Sequence, residues 1–596
     1  MSKPLAVFTF ALMLLPPNAA CAQGSMHVDA ASQGVARQQQ SALQTPKFTP
    51  VEGADLKSKM DDAARRAKAA GQAVFWTAYT FDVRPGVAVD PGGIEFHGSM
   101  QTMGDTSVFI GTSNGVAVET PDLAVFVLRE PSRGGDAVTR MEVYNLRRVR
   151  EYSGYPVYWA GRAGNEESLN YLRAFAESSQ KRELQERATL AIAIHDDARV
   201  RQLLKGFVGS SRNTQVRSTA VFWLGMSGGE TPYLAGIVRD DKEDKDLRET
   251  AAHAIGASRD REALDTLQSL YATLKVGDVR KAIIHAVADN ENREAAYSFL
   301  LKIARSDPEG DARGQAVHRI GDGWGEAAID ELMKIYASDR NEDVRQQVIH
   351  ALADISGARA EGKLLEIARG DSNSDMRKQA IHRLGERGTE SSFAELMKLF
   401  ETERDPEVKG QILHSFSEMK DPRAESRLLA AARDRSEHPE VRQQAIHWLG
   451  EREGDSSIDE LMKIFQGEPS KEVREQIIHA LSEMNSRRAE EKLFEIARSA
   501  DNEELRQSAI HRLGELVSER SFQMLGETVN SSGEKTEVQL EAVRAISERP
   551  AEQAVPMLIK VARTHPNAEV RKEAIRKLGE SGDQRAVEFF REILPK

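Results

Sequence analysis

At 596 residues the chain is too long for one compact hydrophobic core, so it must hold several domains or a repeat array. Charged residues make up 29% and aromatics 6%, a soluble and helix-friendly composition. The formal net charge of −12 argues against nucleic acid and anionic membrane surfaces as partners, because both call for a Lys/Arg surplus.

The first predicted element is an address. Lys3 gives a positive start, Leu5 to Leu15 is an apolar run too short to span a bilayer, and Pro16, Pro17 and small residues follow. Residues 1–22 are therefore expected to be a signal peptide, with Ala20-Cys21-Ala22 as the cleavage site, cut after Ala22. That places the protein in the periplasm or outside the cell. The competing lipoprotein reading acylates Cys21, but Asn18 stands where such sites usually have Leu. Cys21 is the only cysteine, so the cleaved chain would have no disulfide, thiolate nucleophile or Cys-based zinc site. No later segment is apolar enough for a membrane span.

Residues 23–52 are polar and aperiodic and are expected to be a disordered linker. Residues 53–72 read as a helix. From 73 to 161 the period changes to that of strands, as in Val74–Phe81, Ser107–Ile110, Ala124–Leu128 and Pro156–Trp159. Turn signals such as Pro85-Gly86 and Gly134-Gly135 separate them, so this block is expected to be a small β-rich domain with its own core.

Residues 167–596 repeat. One phrase runs Asp375-Met376-Arg377-Lys378-Gln379-Ala380-Ile381-His382-Arg383-Leu384-Gly385 and returns as Glu440-Val441-Arg442-Gln443-Gln444-Ala445-Ile446-His447-Trp448-Leu449-Gly450. Its histidines are His253, His285, His318, His350, His382, His414, His447, His479 and His511, always 32 or 33 residues apart. Arg544 and Arg576 continue the register, and Phe222 and Leu190 precede it, giving about thirteen copies. A double period is superimposed. His318, His382, His447 and His511 lead into x-Leu/Ile-Gly-acid, whereas His285, His350, His414 and His479 lead into Ala/Ser-x-Ala/Ser-acid. Duplication of a two-repeat unit explains this most simply.

Each copy reads as two helices. In the second, Val441, Ala445 and Leu449 form one apolar stripe. An acid such as Asp375 or Glu440 marks the helix start, where negative charge is favoured by roughly 0.3–1 kcal/mol. Gly385 and Gly450 are expected at the helix end, where φ > 0 is needed. One helix pair cannot cover its own stripe, so the copies must stack.

The phrase Val-Arg-x-x-Ala-x-x-x-Leu-Gly resembles HEAT repeats, specifically the short class named after phycobilisome lyases. The resemblance implies a mainly α fold: a right-handed α-solenoid of about thirteen HEAT-like helix pairs behind the β-rich domain. It also implies inter-repeat polar ladders between the helix-start acid and Arg345, Arg377, Arg442, Arg474 and Arg506.

Six residues past the Val, the His lies about 240° round the helix, away from the core stripe and on the inner face. His285, His318, His350, His382, His414, His447, His479 and His511, with Gln443 and Gln444, are therefore the candidate partner-binding row on the concave face. An acid follows most of them at i+4, so a metal or catalytic site is the sharp alternative. Deoxyhypusine hydroxylase, built from similar repeats, makes an iron site from His-Glu dipeptides, and this chain contains none. Helix spacing of ~10 Å is also expected to hold successive imidazoles too far apart for one ion. Histidines on a nearby acid could also titrate and strengthen binding as pH falls.

Other motifs are poor. Gly-x-Ser-x-Gly occurs as Gly111–Gly115, a hairpin turn by context, and as Gly225–Gly229, a helix end. His97 reads as a loop residue, and Trp223 and Trp448 as packing. The sequence thus points to an exported scaffold or adaptor that binds another protein or peptide, not to an enzyme, with no catalytic residue, cofactor or metal assigned. The alternative is a metal-dependent enzyme or metal-binding protein with a His/carboxylate site on the inner face, or with its site where the β domain meets the first repeats.

Overall fold

The computed structural model describes residues 48–596 except 90–96, 104–105, 114–115, 118–119, 121, 131–137, 149, 151, 276, 420, 452–454, 485 and 594–596. The expected signal peptide with Cys21, and nearly all of the expected linker, lie outside the described residues. The chain divides into two compact units, Met1–Gly323 and Trp324–Lys596. No helix among the described residues is long and apolar enough to cross a membrane.

The first unit opens with strand β1, Thr49–Pro50, so the last residues of the stretch read as linker belong to a sheet. Helix α1, Leu56–Ala69, follows behind a capping box in which Asp55 and Ser58 bond reciprocally. The strands then run β2 Phe75–Thr80, β3 Val87–Val89, β4 His97–Met103, β5 Thr106–Ser113, β6 Val116–Ala117, β7 Leu123–Arg129, β8 Val138–Asn145 and β9 Val157–Arg162. They form a five-stranded mixed sheet in the order β1-β9-β2-β7-β8, and a second sheet, β3-β5-β4, with β6 on β5. β9 is parallel to both β1 and β2, and β2 is antiparallel to β7.

Aromatic side chains form the sheet's core because β2 and β7 alternate. Trp76, Ala78, Ala124, Phe126, Tyr144, Tyr152 and Val157 are buried together on one face. The Trp76 indole N–H reaches the Tyr152 carbonyl at 2.9 Å, so the large ring is buried without an orphaned donor.

The sheet does not stand alone. The backbone N–H of Arg84 bonds to the Ile194 carbonyl at 2.9 Å, and Asp196 N–H to the Asp82 carbonyl at 2.8 Å. Glu142 of β8 is fully buried and meets Arg187, of the helix Arg182–Ala193, at 3.1 Å and Arg140 at 2.8 Å. A buried carboxylate needs such pairing, so the first helix pair completes the β domain's electrostatics.

From Asn165 onward the chain is helical in both units, as antiparallel pairs joined by short loops. Most second helices begin on a residue three before the apolar stripe. Asn213, Asp244, Asn341, Asn373, Asp405, Ser470, Asn502 and Asn567 all accept from backbone N–H groups there. The stripe behind is sealed, with Val441, Ala445 and Leu449 almost inaccessible.

Gly385 and Gly450 are not helix ends. They lie inside the helices Ser374–Arg387 and Pro439–Glu451, and the left-handed residue that closes the first is Gly388, at φ 56°. Their use is close approach. A Cβ on Gly385 would strike Ser415, and one on Gly450 would strike Ala480, each on the next second helix. Gly225 meets Ala254, Gly256 meets Ala286 and Gly514 meets Ala545 in the same way. The residue met is the one directly after the His, or after Arg544, of the following copy. From Gly385 onward the double period is thus a lock, in which a glycine in every second copy takes the small residue of the next, whereas Gly225 and Gly256 do so in consecutive copies.

The arginine ladder also differs from expectation. Arg280 pairs with Asp307 at 2.7 Å, Arg377 with Glu403 at 3.2 Å, Arg474 with Asp501 at 2.7 Å, and Arg345, Arg442 and Arg506 with Asp371, Glu468 and Glu534. Each acid lies in the loop after the next copy's first helix, not at a helix start. The helix-start acids bond to lysines instead, as in Lys245–Asp278 at 2.6 Å and Lys378–Glu407 at 2.9 Å. Sequence spacing shows that the Arg repeats; only the fold shows which of two nearby acids it reaches.

Candidate functional site

The expected row falls in two parts. In the first unit, His253 and His285 meet edge to face at 6.4 Å, the His285 ring bonds to the Gln315 side chain at 3.1 Å, and His318 lies 3.6 Å from Asp322. Burial, then the neighbouring His285 and Arg319, brings His253 down to about 4. Burial and Arg319 also hold His285 below its ordinary value. These two rings are therefore kept neutral, opposite to what an adjacent acid alone would do.

In the second unit the rings join up. His382 and His414 lie nearly parallel, centroids 5.9 Å apart and planes at 12°. His414 is 4.4 Å from Trp448, Trp448 is 4.7 Å from His447, and His447 is 6.5 Å from His479. The Trp448 Nε1 is buried and makes no hydrogen bond. Trp448, read from the sequence as packing, therefore links two copies into one ring row, whereas Trp223 is fully buried as packing. Helix spacing did not keep the imidazoles apart, because long side chains lean toward one another across the glycine-tightened contact.

Acids line the row at i+4. His382–Glu386 and His414–Glu418 are both 3.7 Å apart, His479–Glu483 is 3.8 Å and His511–Glu515 is 3.7 Å. His350 accepts from Arg383 at 3.2 Å. Gln443 and Gln444 are half-buried, and Gln444 lies over Gly410, where any side chain would collide with it. Gln444 is thus part of the inter-copy contact, and the rings of His382, His414, His447 and His479 are half-buried as well.

A second place lies at the other location the sequence raised for a site, although the residues there were not singled out. Where the β domain meets the first helices, Arg84, His195, Asp196, Asp197, Arg201 and Ser227 line a recess of about 440 Å³. His195 is buried, bonded to Ser168 at 2.8 Å and to the Ala191 carbonyl at 2.6 Å, and stacked on Phe81 at 4.1 Å. Burial brings it down to about 4, against the opposing pull of the Ala191 bond and Asp197. The Ser227 hydroxyl donates to the Trp223 carbonyl at 2.7 Å and accepts from Arg84 at 3.0 Å. With its proton directed at a carbonyl, it is not set up as a nucleophile. The first Gly-x-Ser-x-Gly sits at the β5–β6 hairpin, where Ser113 pairs with Val116; residues 114–115 lie outside the described set. His97 begins β4, opposite Thr112, so it is a strand residue and not the loop residue expected.

A family model described as HEAT repeats matches residues 208–288, 231–321, 297–378, 329–417, 361–450, 396–482, 425–514, 458–535 and 529–596. No curated protein matches the sequence. Among solved structures, a Kap121p mutant is similar at 12% identity and TM-score 0.36, over 71% of this chain and 54% of that one. The chain therefore spans about half of that relative's length. Human deoxyhypusine hydroxylase with glycerol is similar at 17% identity and TM-score 0.20, over 48% of this chain and 96% of that one. Yeast importin-β, Kap95p, is similar at 12% identity and TM-score 0.31, over 72% of this chain and 68% of that one.

Proposed function

This chain belongs to the HEAT-repeat family, and from that premise we propose that it is an exported scaffold that binds another protein or peptide along its histidine row. The single observation behind this is the joined row of His382, His414, Trp448, His447 and His479 on consecutive second helices. Aromatic and imidazole faces give contact area at low entropy cost, and the flanking Glu386, Glu418 and Glu483 add polar contacts. Pairing in the core and between copies rests mainly on the stripe, the glycines and the arginines, and the row is a repeated feature that stays half-buried at the surface. The repeats fit the short class named after phycobilisome lyases. Export rests on residues 1–22, and N-terminal sequencing of the secreted or periplasmic protein should begin at Gln23.

Affinity capture from cell-envelope extract tests the binding reading. Wild-type protein should retain a partner that the combined His414→Ala, Trp448→Ala, His447→Ala variant loses at equal folding. Equal retention by both would remove the row from the proposal.

A further inference from the structure

We propose that His382, His414 and Glu418 form a site for a first-row divalent transition metal, with zinc the best fit. One ligand atom from each lies within 4.8 Å of the others. The Glu418 carboxylate sits between the imidazoles, 3.7 Å from His414 Nε2 and 4.0 Å from His382 Nδ1. Two nitrogens and one carboxylate oxygen are a zinc donor set, which takes bonds of about 2.0–2.2 Å and leaves a fourth tetrahedral position for water. Such bonds set ligand atoms roughly 3.3 Å apart, so closure requires movements of about 1 Å and a turn of one ring out of the parallel arrangement. Both rings are about one-third exposed and have room to turn, at 33% and 28%.

Three features support this place. His479–Glu483 shares the first and the third, with a buried unbonded Nδ1 and Ala480 next to its ring. Glu418, however, is the carboxylate that lies within 4.0 Å of two imidazoles among the described residues. His382 Nδ1 is buried and makes no hydrogen bond, so a lone pair faces the site unused. Each ring has an outer group on its far nitrogen. Glu386 lies 3.7 Å from His382 Nε2, and Gln411 lies 3.1 Å from His414 Nδ1. Turned to present its oxygen, the Gln411 amide would accept Nδ1–H and leave Nε2 for the metal. The third feature is the carboxylate. Asp322 and Glu515 are each bridged by an arginine one residue past their histidine, Arg319 and Arg512. That residue beside His414 is Ser415, and the ion pairs of Glu418 among the described residues are with His382 and His414 alone. The small residue required by the glycine lock is what keeps an arginine away.

The test uses the full mature chain, stripped with a chelator and titrated with zinc chloride in competition with a chromophoric chelator, then with cobalt(II) for its visible spectrum. One equivalent should bind, and His382→Ala and Glu418→Gln should each weaken it at least ~10-fold, with Glu386→Gln weakening it about 10-fold. His511→Ala should leave affinity unchanged, and unaltered thermal melts of the metal-free variants would show that folding is intact. Cobalt should give the intense spectrum of a tetrahedral site. Unchanged affinity in His382→Ala and Glu418→Gln, an equal loss in His511→Ala, or a weak octahedral spectrum would each overturn the site.

Discussion

Arg442 shows what a single side chain does in this fold. It bonds to the Ala432 carbonyl at 3.2 Å and to Glu468 across the copy boundary, and the pair is buried at 7% and 2% side-chain exposure. Removing one member leaves a buried charge alone, so Arg442→Ala should cost about 3–5 kcal/mol, read as loss of hydrogen-exchange protection centred on 439–483. Burial alone would raise Glu468, but the bonds from Arg442 and the Ser470 N–H outweigh it and hold the carboxyl below its ordinary value. Its contribution is therefore present above the ordinary glutamate range and lost as pH falls through the lowered value. His253 has the same sign by another route. Its folded value of about 4 lies under the ordinary 6.5, so the unfolded chain takes up the proton first. Stability due to its neutral ring is present above about 6.5 and lost on acidification toward 4. His253→Gln should flatten the fall in melting temperature across that window; an unchanged slope would contradict the assignment. The sequence marked the helix starts by the acid one residue before each stripe; the Asn, Asp and Ser caps two residues earlier were read only from the fold. The partner of each arginine was not, because two acids lie within its reach and only packing decides.

Between elements, the glycine lock accounts for the double period that the sequence displays but does not explain. Gly450 faces Ala480 with no space for a methyl group. Gly450→Ala should destabilise by roughly 1–3 kcal/mol through overpacking, although Ala is the better helix former. A stabilised variant in a urea melt would show that the glycine serves something else. The β block was readable where strands are rich in β-branched and aromatic residues, as in β2, β7 and β9. The short β1 escaped because two residues carry no periodicity, and it is held by the pairing of Thr49 with Tyr158. The same reasoning fixes the domain's true extent. Residues 73–161 expressed alone would lack β1 and α1 and would leave Glu142 without Arg187. No cooperative thermal transition is expected from that fragment, and a sharp one would contradict the coupling.

At the largest scale, helix pairs stack through nearest-neighbour contacts within each unit, and the repeat phrase alone was enough to read this. Function was less legible, because the phrase copies the histidine into nine consecutive repeats. What distinguishes one stretch of the row from another is local: Trp448 bridging His414 and His447, and Ser415 sparing Glu418. The most direct test places a photo-crosslinking residue at position 448, on the row, or at position 463, on the exposed face of the helix Ile458–Gly467. Irradiation in living cells should give an adduct of one defined mass from position 448 and none from position 463. An adduct from position 463 with none from 448 would contradict the claim that the histidine row is where this protein meets its partner.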